Sequence, residues 1–216
     1  MKHFVRFCFY SVLFIGVLLQ VGGLNSVVSA ADSRKHILFV GDSITAGLGV
    51  ELEQAYPALI LKMLKGNGIQ GIRITNSSIS GSTSAGALSR LKWFLSTGQV
   101  PNLLVLALGA NDGLRGLSTR EMSQNLDKTI ALAKGKSIQV ILAGMEIPPN
   151  YGPEYSKSFK KVFAFLSDKH QIPLIPFLLK GVAGRPSLNQ TDGIHPNREG
   201  HKVIARTMLP YILENL

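Results

Sequence analysis

The chain has 216 residues, a formal charge of +10 and an apolar content of 45%. That content is ample for a sizeable core and excludes a disordered chain. The basic residues are scattered, with Lys157, Lys160 and Lys161 the densest group, so the stripe expected of a nucleic-acid binder is missing and no nucleic-acid partner is expected.

Lys2, His3 and Arg6 make a short basic start, and an apolar run follows from Phe7 to Leu19, broken only by Ser11 and Gly16. Val28-Ser29-Ala30 then places small residues where a signal peptidase reads. The layout predicts a secretory signal over residues 1–30, cleaved after Ala30, and a periplasmic or secreted domain over residues 31–216. An uncleaved anchor is the alternative, but the run is short for a span and Gln20 interrupts it. Cys8 is the one cysteine and lies inside this segment. The mature chain is therefore expected to lack thiols, which suits an oxidising compartment and excludes cysteine catalysis and cysteine-bound zinc. Loss of Lys2 and Arg6 leaves about +8, a field that favours transient contact with an anionic membrane surface.

After Ala30, apolar runs alternate with amphipathic stretches. Strands are expected at His36–Val40, Ile72–Asn76, Leu103–Leu108, Val140–Ala143 and Pro173–Phe177, because continuous apolar runs suit strands covered on both faces. The first helix carries Tyr56, Leu59, Ile60, Met63 and Leu64 at helical spacing, with Pro57 in its first turn. Leu88, Leu91, Trp93 and Leu95 belong to a second helix. Met122, Leu126, Ile130 and Ala133 stripe a third, with Ser118 placed as N-cap three residues before Glu121. Phe159, Val162, Phe163 and Leu166 mark a fourth, and Val203, Ile204, Met208 and Ile212 a last. No repeat, linker or low-complexity tract interrupts the order βαβαβαβαβα. The prediction is α/β: a doubly wound parallel β-sheet sandwich in a single domain, and a monomer.

Function in such sheets collects at the carboxyl ends of the strands. Four polar clusters fall there. Gly41-Asp42-Ser43 follows the first strand, where Gly41 allows a tight exit and Ser43 stands at the mouth of the next segment; a turn serine or helix cap is the plainer reading of that triplet. Ser80-Gly81-Ser82-Thr83 follows the second, and the N–H of Gly81 can approach a substrate oxygen closely. Gly109-Ala110-Asn111-Asp112 follows the third, where the Asn111 amide can donate to an oxyanion. Asp192-Gly193-Ile194-His195-Pro196 precedes the last helix, and Pro196 disfavours helix at His195. Asp and His three residues apart can fold so that the carboxylate meets one ring nitrogen and the other faces a hydroxyl. Each cluster alone also fits a capped turn. Together they supply a nucleophile, oxyanion donors and a charge-oriented base on one edge.

The four clusters resemble the blocks of the SGNH (GDSL) hydrolase family, in matching order and spacing from about His36 to the C-terminus. Asn111-Asp112-Gly113-Leu114-Arg115-Gly116 and Pro148-Pro149-Asn150-Tyr151-Gly152 look like its bacterial exported thioesterases, lysophospholipases and arylesterases. One departure is Ser82, where many members carry an acidic residue. The resemblance implies the flavodoxin-like form of the sandwich and a serine esterase acting on carboxylic esters, acyl thioesters or lysophospholipids. It implies Ser43 as nucleophile, His195 as base, Asp192 as the group that orients it, and an oxyanion hole from the N–H of Ser43, the N–H of Gly81 and the side chain of Asn111. An acyl-enzyme follows, with no metal and no cofactor.

Arg115 is a candidate for an anionic group of the substrate, with a solvated loop arginine as the alternative. Ile147 and Tyr151, in the apolar, Pro- and Gly-containing segment from Met145 to Tyr155, are candidates for an acyl-chain groove. His36, His170 and His201 have no partner motif and read as strand-start, surface and helix residues. The glycines after the first strand, Gly41, Gly47 and Gly49, do not make the dinucleotide fingerprint. A binding module on a degenerate hydrolase fold would need a catalytic residue missing, and none is. Deacetylation of a carbohydrate polymer is the alternative substrate class.

Overall fold

The computed structural model describes Met1 and residues 35–216, so the expected signal and its cleavage site lie outside the described residues. Five parallel strands form one sheet in the order β2-β1-β3-β4-β5. They are β1 (Lys35–Gly41), β2 (Ile72–Asn76), β3 (Leu103–Ala107), β4 (Gln139–Ala143) and β5 (Leu174–Ile175). Ile37, Leu38, Phe39 and Val40 of β1 and all of Leu103–Leu106 in β3 are fully buried. Neighbouring residues along a strand face opposite sides, so burial of every one requires a cover on both faces.

Helices supply it. The long ones are α2 (Tyr56–Gly66), α3 (Ala87–Ser96), α5 (Thr119–Gly135), α6 (Pro153–His170) and α7 (Arg198–Glu214). α2 packs with α7, while α5 packs with both α3 and α6, making one layer on each side. Two short helices, α1 (Ser43–Ala46) and α4 (Ala110–Leu114), start directly after β1 and β3. At four and five residues they are too short to show a hydrophobic period. Ser118 caps α5 by accepting from the Glu121 N–H at 3.3 Å.

The fifth strand is shorter than its apolar run. Only Leu174 and Ile175 pair with β4. Pro173 and Pro176 bracket them and have no N–H to donate to a ladder, which confines the strand to the edge of the sheet. The chain reverses its direction of winding between β1 and β3, and α1 and α4 both leave the sheet at that crevice. Such a reversal is where doubly wound sheets bind ligands.

Candidate active site

Gly41 ends β1 at the crevice. A Cβ on it would lie 2.3 Å from Thr45 Oγ1 and 3.0 Å from the carbonyl oxygen of Ala107, so only glycine lets the chain turn here against β3. Asp42 is the N-cap of α1 and accepts from the Ile44 N–H at 3.0 Å. Ser43 is thereby the first residue of α1, and it is 8% exposed.

The segment ahead of α7 brings the partner groups. Asp192 Oδ1 accepts from the backbone N–H of Ile194 at 2.9 Å and of His195 at 3.0 Å. Its Oδ2 meets His195 Nδ1 at 2.7 Å. His195 Nε2 lies 2.8 Å from Ser43 Oγ. The His195 N–H, then its ring, then the Ile194 N–H hold the Asp192 carboxyl down to about 2. An ionised carboxylate only accepts, so the hydrogen between the two is on Nδ1, and Nε2 turns its lone pair to the Ser43 hydroxyl.

Asn197 fixes this segment to α7. Its Oδ1 accepts from the Glu199 and Gly200 N–H groups at 3.0 and 3.1 Å, and its Nδ2 donates to the carbonyls of Ser187 and Asn189 at 3.0 and 3.2 Å. Gln190 joins it to the nucleophile loop, donating to the Leu48 carbonyl at 2.7 Å and the Pro196 carbonyl at 3.0 Å. Nothing in a single sequence marks Gln190 for this task.

The two candidate oxyanion loops are cross-braced. Asn111 Nδ2 donates one hydrogen to the Ser82 carbonyl at 3.0 Å, which fixes the amide and leaves its second hydrogen for another acceptor. Asp112 is buried and accepts from the Ser84 N–H at 2.8 Å and from Ser84 Oγ at 2.6 Å. Asn125 Nδ2 donates to the same Ser84 Oγ at 3.1 Å. Gly81 has φ +77°, a left-handed backbone that strains any side chain. Arg115 donates to the Gly81 carbonyl at 3.0 Å. Its guanidinium is thus placed on the loop backbone. Ser84 and Asn125 carry no motif that would have singled them out.

A cleft of about 450 Å³ opens beside Ser43, a usual size for a small-molecule site. Ile44, Ala110 and Ile194 line its near end, each the chain neighbour of Ser43, Asn111 or His195. Leu114, Met145, Ile147, Pro149, Phe177 and Leu179 continue it. Ile147 is therefore a wall residue. Tyr151 stands behind the wall instead, its hydroxyl donating to the Leu114 carbonyl at 2.7 Å, and Tyr155 donates to that of Leu117 at 2.7 Å.

The other histidines among the described residues all have partners. His36 is buried, with Nε2 2.8 Å from Thr75 Oγ1 and Nδ1 2.9 Å from the Arg73 guanidinium. His170, expected at the surface, is half-buried and pairs with Asp127 at 2.6 Å, tying α6 to α5. His201 is buried against Tyr56, whose N–H it accepts at 3.3 Å, and burial pushes it down to about 4. Among the described residues no group of three or more His, Cys, Asp or Glu side chains is arranged to hold a metal ion.

Residues 39–203 match the model of the GDSL-like lipase/acylhydrolase family. Esterase TesA of Pseudomonas aeruginosa is 41% identical over 180 residues, which is 83% of this chain and 85% of that protein. Thioesterase 1/protease 1/lysophospholipase L1 of Escherichia coli K12 is 34% identical over 180 residues, 83% of each chain. The crystal structure of the psychrotrophic esterase EstA from Pseudoalteromonas sp., inhibited by monoethylphosphonate, superposes with a TM-score of 0.79 at 34% identity, covering 84% of this chain and 98% of that one.

Proposed function

The chain belongs to the GDSL-like lipase/acylhydrolase family, and from that premise we propose that it is a serine hydrolase of acyl esters and thioesters, lysophospholipids among them, working through Ser43, His195 and Asp192. The observation that carries the reading is the unbroken chain from Ser43 Oγ through the His195 ring to Asp192, at the near end of an apolar cleft.

His195 Nε2 takes the hydroxyl proton as Ser43 Oγ bonds to the acyl carbon, and the carbonyl electron pair moves to oxygen. The N–H groups of Ser43 and Gly81 and the free hydrogen of Asn111 Nδ2 receive that oxyanion; a donor of this kind contributes about 3–4 kcal/mol to the transition state. Asp192 stabilises the imidazolium. Collapse breaks the bond to the leaving oxygen or sulfur, which takes the proton back from Nε2. Water, deprotonated by the same nitrogen, then releases the acid and restores Ser43. All of these groups belong to this chain, and no metal or cofactor enters the steps.

The acyl chain lies along Ile147 and Phe177, where burial of each methylene contributes about 0.8 kcal/mol. Leu48, Ile79 and Ile194 are exposed on the segments that follow β1 and β2 and precede α7, which favours a lipid surface as the source of substrate. Export with cleavage after Ala30 and a monomeric state complete the proposal. Among the described residues no helix is long and apolar enough to cross a membrane.

The test is hydrolysis of nitrophenyl esters from acetyl to palmitoyl by wild type, Ser43→Ala and Ile147→Asp. The reading requires near-complete loss in Ser43→Ala, a wild-type preference for medium or long chains, and selective loss of those chains in Ile147→Asp. Activity on acetyl esters alone would move the assignment to a deacetylase. Equal rates in wild type and Ser43→Ala would overturn serine catalysis.

A further inference from the structure

Asp42 is a buried carboxylate, 2% exposed, that the steps above do not use. Its Oδ1 caps α1 through the Ile44 N–H at 3.0 Å. A neutral asparagine or serine would make the same cap. Its Oδ2 is buried with no hydrogen-bond partner among the described residues. Burying a charge that a cap does not need is costly. The groups around it explain what the charge meets. Tyr56, at the start of α2, is held neutral by burial and turns its hydroxyl to Thr45 Oγ1 at 2.9 Å. His201 on α7 is neutral and stacks on Tyr56. Asp112 on α4 is a like charge that disfavours ionisation of Asp42. His195 is the group whose positive charge favours it, and both adjoin Ser43, Asp42 as its chain neighbour and His195 at 2.8 Å from its Oγ.

We propose that Asp42 is a positioning residue for catalysis, a second carboxylate that caps the nucleophile turn with one oxygen and with its buried charge stabilises the His195 imidazolium from the side of Ser43. The inference rests on the Ser43 and His195 reading. Asp192 reaches the ring from the solvent side, with 45% of its side chain exposed. Asp42 acts from the protein side, where the effective dielectric is lower and salt screens little. Burial raises the Asp42 carboxyl to about 6, against the pull of the Ile44 N–H and His195. Asp42 therefore titrates within the range where esterase rates are measured, coupled to the imidazole.

The experiment compares Asp42→Asn with Asp42→Ala and wild type in the pH profile of kcat/KM on a medium-chain nitrophenyl ester, beside melting curves. Asp42→Asn keeps an oxygen for the Ile44 N–H and removes only the charge. Its acidic limb is expected to move to lower pH by about half a unit to one unit, since a protonated ring is less stabilised without its neighbour, while KM stays within about two-fold. Asp42→Ala is expected to show the same displaced limb and in addition a lower melting temperature from the lost cap. A limb in Asp42→Asn that superimposes on wild type, with the protein folded, overturns the inference and leaves Asp42 as a cap alone. Ser43→Ala and His195→Ala run alongside. If either keeps wild-type activity, the triad reading has failed, and if both are inactive the Asp42 result stands by itself.

Discussion

At the scale of single residues, the site depends on how each polar atom is occupied. Asp192 uses both oxygens, two backbone N–H groups on one and the ring on the other. Held to about 2, it stays ionised as the medium is acidified, so its own protonation makes no step in the pH profile above about pH 3. Asp192→Asn removes the charge and presents the ring with the wrong hydrogen-bond partner. We expect kcat to fall roughly 10³- to 10⁴-fold with KM little changed, read from initial rates on one ester; a drop under ten-fold would mean that the ring is oriented by something else. The residues proposed to bear the chemistry were visible in the sequence as motifs, since Gly41-Asp42-Ser43 and Asp192-Gly193-Ile194-His195 each keep candidate reactive and orienting groups within four positions. The residues that hold them were not. Gln190, Ser84 and Asn125 act through contacts with backbone or side chains distant in the chain, and such contacts leave no local pattern.

At the scale of elements, the loop ahead of α7 owes its shape to the cap of that helix. Asn197 satisfies two N–H groups of the first turn and two carbonyls of the preceding loop. Asn197→Ala loses all four, and about 2 kcal/mol of stability is expected to go with them. In a chain of this size that corresponds to a melting temperature lower by roughly 4–8 °C. Because His195 stands two residues before the cap, the variant should also lose activity at temperatures where it is still folded. A loss confined to melting would show that the loop holds its shape unaided. Helical spacing revealed the five long helices, and β-branched apolar runs the four longer strands. They failed where helices span little more than one turn, at α1 and α4, and where proline cut β5 to two residues. For His170, sequence showed only a polar residue near a helix end, and its burial depends on Asp127 reaching across from α5.

At the scale of the whole molecule, two buried groups tilt stability in opposite directions over one range of pH. Asp42 titrates at about 6 in the folded chain and near 3.8 unfolded. Between these values the folded state holds more protons, so Asp42 makes stability fall as pH rises. His201 titrates at about 4 folded and near 6.5 unfolded. There the unfolded state holds more protons, and His201 makes stability rise with pH. Each effect reaches roughly 3 kcal/mol, so they nearly cancel between about pH 4 and 6. The wild-type melting temperature is expected to be almost level across that range. Asp42→Asn removes the falling member and should give a curve that climbs steadily toward pH 6.5. Calorimetry at half-unit intervals would test this, and parallel curves for the two proteins would refute the cancellation.

The hydroxyl and the ring that share a proton at the site are 152 positions apart in the chain. Strands β2, β3, β4 and β5 and the helices between them all intervene. A polypeptide emerging from the ribosome therefore carries Ser43 long before it carries His195, and the serine stays an ordinary alcohol until α7 docks on α2. Ester cleavage then reports that two segments 152 positions apart have met, and its onset during refolding times the formation of that contact.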